Sequence, residues 1–287
     1  MKITIQAFAK INLLLDVVGK LPNGYHDLRM MMQSVDLHDT VTVEPGEHTL
    51  ICDDPAVPTD GRNIAWKAAA AFEQATGIPC GEIRITIEKR IPSAAGLAGG
   101  SADGAAVLAA MNVLHDTRLS PQALCRIGAA VGADIPFCLT GGTALALNIG
   151  DVLAPLPAFD GGVFVLAKPA CGISTADAYA QFDRVETVYH PDFRALLYDA
   201  ARGDWKRVLR GTCNTFEQLI EVADRVPIKA AMRRCGSVFS MMSGSGPTVF
   251  GVFPDRESAC ACAKELKTLT PDVFVCEPAA QGLRIEN

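Results

Sequence analysis

"IPSAAGLAGGSADGAAVLAAMN", Ile91 to Asn112, sets four glycines between an apolar run and an alanine-rich run. The preceding "EIRITIEK" alternates with the period of a strand, so the whole reads as strand, glycine turn and helix. Gly96, Gly99 and Gly100 stand just before a helix that is expected to begin near Ser101. Amides at a helix start lack internal partners and carry partial positive charge, which matches an anion, and glycine lets a phosphate come close to the backbone. The alternative is a purely structural turn in which Ser101 or Asp103 caps the helix. Two familiar phosphate motifs are absent: no lysine follows the glycines as in G-x-x-x-x-G-K-[ST], and G-x-G-x-x-G does not occur. A nucleotide-dependent dehydrogenase is therefore set aside.

Outward from this stretch, the first forty-five residues alternate in short runs ("KITIQAF", "INLLLDVVG", "LRMMMQSV", "DTVTVEP") and predict an antiparallel sheet. Asn63 is placed to cap "IAWKAAAAFEQAT", and Ser120 followed by Pro121 to start "PQALCRIGAAVG". "GADIPFCLTGGTALALNIG" reads as a return to strand. Prolines and glycines cluster in "DVLAPLPAFDGG", which divides the chain into expected domains 1–156 and 157–287. The second part runs strand, helices, strand, glycine turn, strand, helix, strand. The expected class is α+β in two domains, each burying a sheet face under helices.

The 287 residues are 49% hydrophobic, enough for one large core or two moderate ones. A net charge of −6 offers no basic field for nucleic acid. No apolar run is long enough to cross a bilayer and no leader peptide is evident, so the expectation is a cytoplasmic protein without a membrane partner. The ten cysteines are scattered without a CxxC, which is not a zinc pattern and reads as reduced thiols in the core. No metal-ligating residue is nominated.

A second glycine turn, "MMSGSGPTVFGVF", puts Gly244, Ser245 and Gly246 between two strands, either as a hairpin turn or as a lining beside phosphate. Lys10 in "AFAKINLLL" and Asp134 in "VGADIPFCL" are the other candidates; each also has a structural reading, as an edge-strand lysine and a turn aspartate. Together they suit phosphoryl transfer, the carboxylate taking a hydroxyl proton and the ammonium steadying the developing charge.

"AFAKINLLL", "PSAAGLAGGSADGAA" and "MSGSGPTVFGVF", in that order and spacing, resemble the superfamily of galactokinase, homoserine kinase, mevalonate kinase and phosphomevalonate kinase, the GHMP kinases. "AKINLLLDVVGKLPNGYHDLRMMMQSVDLHDTV", "VGADIPFCLTGGTALALNIGD" and "KPACGISTADAYAQF" narrow the resemblance to the branch acting on a cytidine diphosphate ester of methylerythritol, in the non-mevalonate isoprenoid route. The resemblance implies a first domain like ribosomal protein S5 domain 2, a ferredoxin-like second domain, and an active site between them. It implies ATP as co-substrate, Mg²⁺, and a small-molecule substrate phosphorylated on its 2-hydroxyl.

Carried onto this chain, the resemblance makes Asp134 the general base and Lys10 its cationic partner. Asn12, on the same strand face as Lys10 by the period of two, becomes a substrate contact. Tyr25 and Tyr179 flank the cytosine, His26 bonds its edge, and Thr175 lies nearby. ATP lies on Pro92, Ser93, Ala94, Ala95, Gly96, Leu97, Ala98, Gly99, Gly100 and Ser101, with Ser101 near the metal or the β-phosphate, and Asn63 and Lys89 beside the adenine. The loop departs from the family pattern at Ala95, Ala98 and Ala102, where an alanine at positive φ costs about 1–2 kcal/mol. Another GHMP small-molecule kinase, or a ligand-binding relative without catalysis, are the alternative readings.

Overall fold

The alternating runs at the amino terminus are two long strands. In the computed structural model, which describes residues 1–286, β1 (Ile3–Lys20) and β2 (His26–Pro45) form an antiparallel ribbon. Register shifts fall between Phe8 and Ala9, Asn12 and Leu14, and Val17 and Gly19. Each shift slips the side-chain parity, so one bulged strand looks in sequence like several short ones. The connection is tied by Leu21 N–H donating to the Tyr25 carbonyl at 2.7 Å.

Next come β3 (Thr49–Cys52), α1 (Ile64–Thr76), β4 (Ile83–Glu88), α2 (Gly99–Leu114), α3 (Pro121–Ala129), α4 (Ile135–Thr140), β5 (Thr143–Asn148) and β6 (Val152–Pro155). Asn63 caps α1 by accepting the Ala65 N–H at 2.8 Å, and Ser120 caps α3 by accepting that of Ala123 at 3.2 Å. The residues Ile135–Thr140, expected as strand, are instead the helix α4. Five apolar residues and a threonine are too short a run to show a helical period, and Pro136 in the first turn favours the helix. β2 is the hub of the sheet: it pairs β1 along one edge and both β5 and β4 along the other. α2 lies against this sheet, buried from Ala102 to Leu108 and at Ala110 and Met111, its run of alanines allowing close approach.

The rest of the chain comprises β7 (Val163–Lys168), α5 (Thr175–Phe182), α6 (Phe193–Ala201), α7 (Trp205–Gly211), α8 (Thr215–Leu219), α9 (Arg225–Arg234), β8 (Phe239–Met242), β9 (Val249–Phe253), α10 (Arg256–Leu266), β10 (Asp272–Cys276) and β11 (Leu283–Glu286). The strand order β10-β7-β9-β8, all antiparallel, is the ferredoxin-like arrangement. α9 and α10 cover one face through Ile228, Met232, Cys262 and Leu266. The opposite face sends Phe164, Leu166 and Phe250 into the same core as the first sheet. β11 lies outside the second sheet and pairs β1 through residues 283–286, so the end of the 157–287 segment belongs to the first sheet.

The free edge of β1 would invite strand pairing, and the second part of the chain covers it. Leu15 N–H donates to the Cys213 carbonyl at 3.0 Å, Val17 N–H to Thr215 Oγ1 at 3.1 Å, and Thr212 Oγ1 to the Leu13 carbonyl at 2.6 Å. This edge is where the two parts of the chain meet and where Lys10 and Asn12 sit. Among the described residues no helix is long and apolar enough to cross a membrane.

Candidate active site

A cleft of about 950 Å³ takes in the glycine stretch, Lys10, Asp134 and the Tyr25–His26 turn. That is at the upper end for small-molecule sites. Ala94, Gly96 and Ala98 have positive φ, at 49°, 75° and 61°. Left-handed geometry therefore falls on Ala94 and Ala98, while Ala95 is not left-handed and Ala102 is inside α2. Helix α2 starts at Gly99, two residues before the expected position, with Ala98 at the N-cap and no side chain capping it. The first backbone bond is Ala102 N–H to the Ala98 carbonyl at 2.9 Å, which leaves the amides of Gly99, Gly100 and Ser101 without intrahelical acceptors. All three residues line the cleft. Neither Ser101 nor Asp103 caps the helix, so the turn presents donors for an anion.

The two glycine turns touch. A Cβ on Gly96 would overlap the Ser243 carbonyl oxygen, and one on Gly244 would press on the Gly96 backbone at 3.1–3.5 Å. Both residues have positive φ, 75° and 57°, so glycine is required at each on two counts. Ser243, which sequence reasoning missed, ties three segments: its Oγ donates to the Gly96 carbonyl at 3.0 Å and accepts the Asn12 N–H at 3.3 Å. Lys10 N–H donates to the Leu97 carbonyl at 3.1 Å. Leu97 is buried and Gly246 packs on Met242, and neither lines the cleft; Gly244 and Ser245 do.

Lys10 is buried, and its Nζ donates to Asn12 Oδ1 at 2.9 Å, as the shared strand face implies. Asp134 Oδ2 lies 3.7 Å from the same ammonium. Asp134 stands at the start of α4 rather than merely past a helix, and its carboxylate makes no capping bond. It remains one-third exposed, at 34% of its side-chain surface, with a lysine beside it. A carboxylate so placed can accept a proton from a hydroxyl, and the ammonium can stabilise the charge that follows.

Lys89 and Asn63 are occupied otherwise. The Lys89 ammonium donates to Asp103 Oδ2 at 2.8 Å and to Asp39, all three side chains being buried. Burial works against that ammonium, but the charges of Asp103 and Asp39 outweigh it and hold its pKa above the ordinary value. Asp39 also accepts the N–H groups of Arg90 and Ile91 at 2.6 and 2.8 Å. Asp103 Oδ1 is buried without a partner, and burial pushes its carboxyl up to about 7 against the Lys89 charge. This triad lies under the glycine stretch, with Lys89 Nζ 3.3 Å from where a Gly99 Cβ would sit. Asn63 spends its amide on the α1 cap and on the Pro58 carbonyl at 2.7 Å. Both residues line the cleft while their polar ends are committed to the fold. Asp39 gave no signal in sequence; Asp103 did, as the lone charge in an alanine-rich helix.

At the other group of lining residues, His26 stacks on Tyr179 with centroids 4.4 Å apart and planes 17° apart. One face of Tyr179 is thus covered by the imidazole instead of standing open opposite Tyr25, which is 61% exposed. Tyr179 backs the histidine; burial, and more weakly the Asp134 charge, raise its hydroxyl pKa. His26 Nε2 meets Asp183 Oδ1 at 2.7 Å, a partner absent from the sequence reading. Thr175 Oγ1 bonds Ser245 Oγ at 2.9 Å, linking α5 to the second glycine turn.

The model for the GHMP kinases N terminal domain matches residues 63–142, and that for GHMP kinases, C terminal, matches 196–270. A 4-diphosphocytidyl-2-C-methyl-D-erythritol kinase of Clostridium botulinum (strain Alaska E43 / Type E3) is 42% identical over 94% of this chain and 98% of its own. One from Gloeobacter violaceus is 43% identical over 99% of this chain and 97% of its own. The crystal structure of a 4-(cytidine 5'-diphospho)-2C-methyl-D-erythritol kinase superposes with a TM-score of 0.78 at 31% identity, covering 96% of this chain and 99% of that one. The chain belongs to the GHMP kinases, and within them to the 4-diphosphocytidyl-2-C-methyl-D-erythritol kinase family.

Proposed function

We propose that the protein transfers the γ-phosphoryl group of ATP to the 2-hydroxyl of 4-diphosphocytidyl-2-C-methyl-D-erythritol, giving the 2-phosphate and ADP in the non-mevalonate route to isoprenoids. The observation that carries the reaction type is the Lys10–Asp134 pair at 3.7 Å in the cleft that also holds the uncapped start of α2. Asp134 takes the hydroxyl proton as the oxygen attacks. Lys10, aimed by Asn12, holds its charge toward the alkoxide and the phosphoryl oxygens in flight. The free amides of Gly99, Gly100 and Ser101 cradle the phosphates and do the work that a lysine does in a Walker loop.

Mg²⁺ would be held mainly by phosphate oxygens and water, so this chain would need to add little to its shell. The Ser101 hydroxyl, at the start of α2 and on the cleft, fits that limited role. Held there, the ion would screen phosphate charge. Tyr25, His26 and Thr175 receive the cytidylyl end.

The test is turnover: purified protein with the cytidylyl substrate, ATP and Mg²⁺, followed by ADP release. The expected result is ADP formation that depends on this substrate. Equal turnover of homoserine or phosphomevalonate, with none of the cytidylyl ester, reassigns the protein to another branch.

A further inference from the structure

We infer that Asp183 fixes the tautomer of His26 and so makes the site select cytosine over uracil. The inference rests on the reading that the cytidylyl end of the substrate lies against His26.

Asp183 follows α5 directly, as its C-cap. Its Oδ1 lies 2.7 Å from His26 Nε2, and its Oδ2 accepts from Lys20 Nζ at 2.5 Å. The hydrogen bonds from Lys20 and His26 hold the Asp183 carboxyl below the ordinary value. An ionised carboxylate only accepts, so the proton of the neutral imidazole is on Nε2 and the lone pair on Nδ1. The ring cannot turn to exchange them easily: Tyr179 covers one face at 4.4 Å and the Phe182 ring stands edge-on at 5.6 Å. Among the described residues no side chain or backbone group bonds His26 Nδ1, and the residue lines the cleft. Asp183 is thus a positioning residue that leaves His26 as a fixed acceptor.

Cytosine carries an amino donor at C4, and uracil carries a carbonyl acceptor there. A fixed acceptor bonds the first and opposes the second. A site built to pair one polar group rejects the analogue that leaves it unpaired.

The experiment measures cytidine 5'-diphosphate against uridine 5'-diphosphate by calorimetry, on the wild type and on Asp183→Asn. The variant amide can present a donor or an acceptor, which releases the tautomer. The wild type is expected to prefer the cytidine ligand by about tenfold or more, and the variant by under about threefold. On the cytidylyl substrate the variant should raise KM more than it lowers kcat. Long-range ¹⁵N NMR of the wild-type ring, which needs no variant, should find the proton on Nε2. An undiminished cytosine preference in Asp183→Asn, no preference in the wild type, or a proton on Nδ1 overturns the inference. A wild type that prefers cytidine diphosphate yet phosphorylates nothing leaves this inference standing and removes the kinase reading instead.

Discussion

Two buried lysines border the same cleft, and they are partnered in opposite ways. Lys89 has two buried carboxylates around its ammonium, one of them further held by two backbone amides. Lys10 has one amide oxygen at 2.9 Å and one partly exposed carboxylate at 3.7 Å. A buried charge must be compensated. Lys89 is compensated by the fold, whereas Lys10 is only partly so and lines the cleft, where on the proposed reading phosphoryl oxygens would complete its shell. A saturated lysine acts as a clamp under the loop; an unsaturated one is poised for a ligand.

The largest effect expected is on turnover. Asp134→Asn should lower it by about 10² to 10⁴, the usual worth of a general base. Lys10→Met should fall in the same range, and steady-state kinetics with the cytidylyl substrate check both. Turnover within about threefold of wild type in either variant would erase the distinction between the two lysines.

Lys89→Met should act on stability first, because it leaves Asp39 and Asp103 facing each other without a cation. The expected loss is about 3–5 kcal/mol, read from urea unfolding. An unchanged midpoint with lost activity would make Lys89 a second catalytic lysine and overturn the comparison.

The smallest effect separates the two carboxylates that share Lys89. The Asp103 pKa rises from the ordinary 3.8 to about 7 in the folded chain, because burial opposes its charge. The folded state therefore binds the proton more tightly than the unfolded state. That contribution is complete below 3.8 and is gone once the pH has risen through about 7. Unfolding measured from pH 5 to pH 8 should show stability declining in the wild type and a flatter curve in Asp103→Asn. Asp39→Asn should cost more at every pH, since it breaks bonds from Lys89, Arg90 and Ile91. Parallel curves for wild type and Asp103→Asn would refute the assignment of the proton.

Much of this architecture was legible in the sequence because the signals were local. Asn63 and Ser120 were identifiable as caps, and the glycine stretch as a strand-to-helix turn, because each rests on neighbours a few residues apart. The parity that put Lys10 and Asn12 on one face holds because the next bulge lies after Asn12. The bulges themselves were invisible, and they disguised β1 and β2 as several strands. α4 resembles a strand in sequence because five of its six residues are apolar and the run is too short to reveal a helical period. What escaped altogether depends on distant partners: Asp183 meets His26 across 157 positions, and Ser243 meets Asn12 across 231. No window of sequence contains both members of such a pair.

The contact between the two glycine turns bears on how the site could respond to an inhibitor. A compound that takes its hydrogen bonds from main-chain amides beside Gly96 and Gly244 touches positions where any side chain would strike backbone, the Ser243 carbonyl in one case and Gly96 itself in the other. Escape by point mutation is closed off at those two residues, because the change that would repel the drug also dislodges the loop that lines the cleft. Resistance would have to arise elsewhere in the lining, as at Arg62, whose side chain is exposed and paired with the neighbouring Asp60.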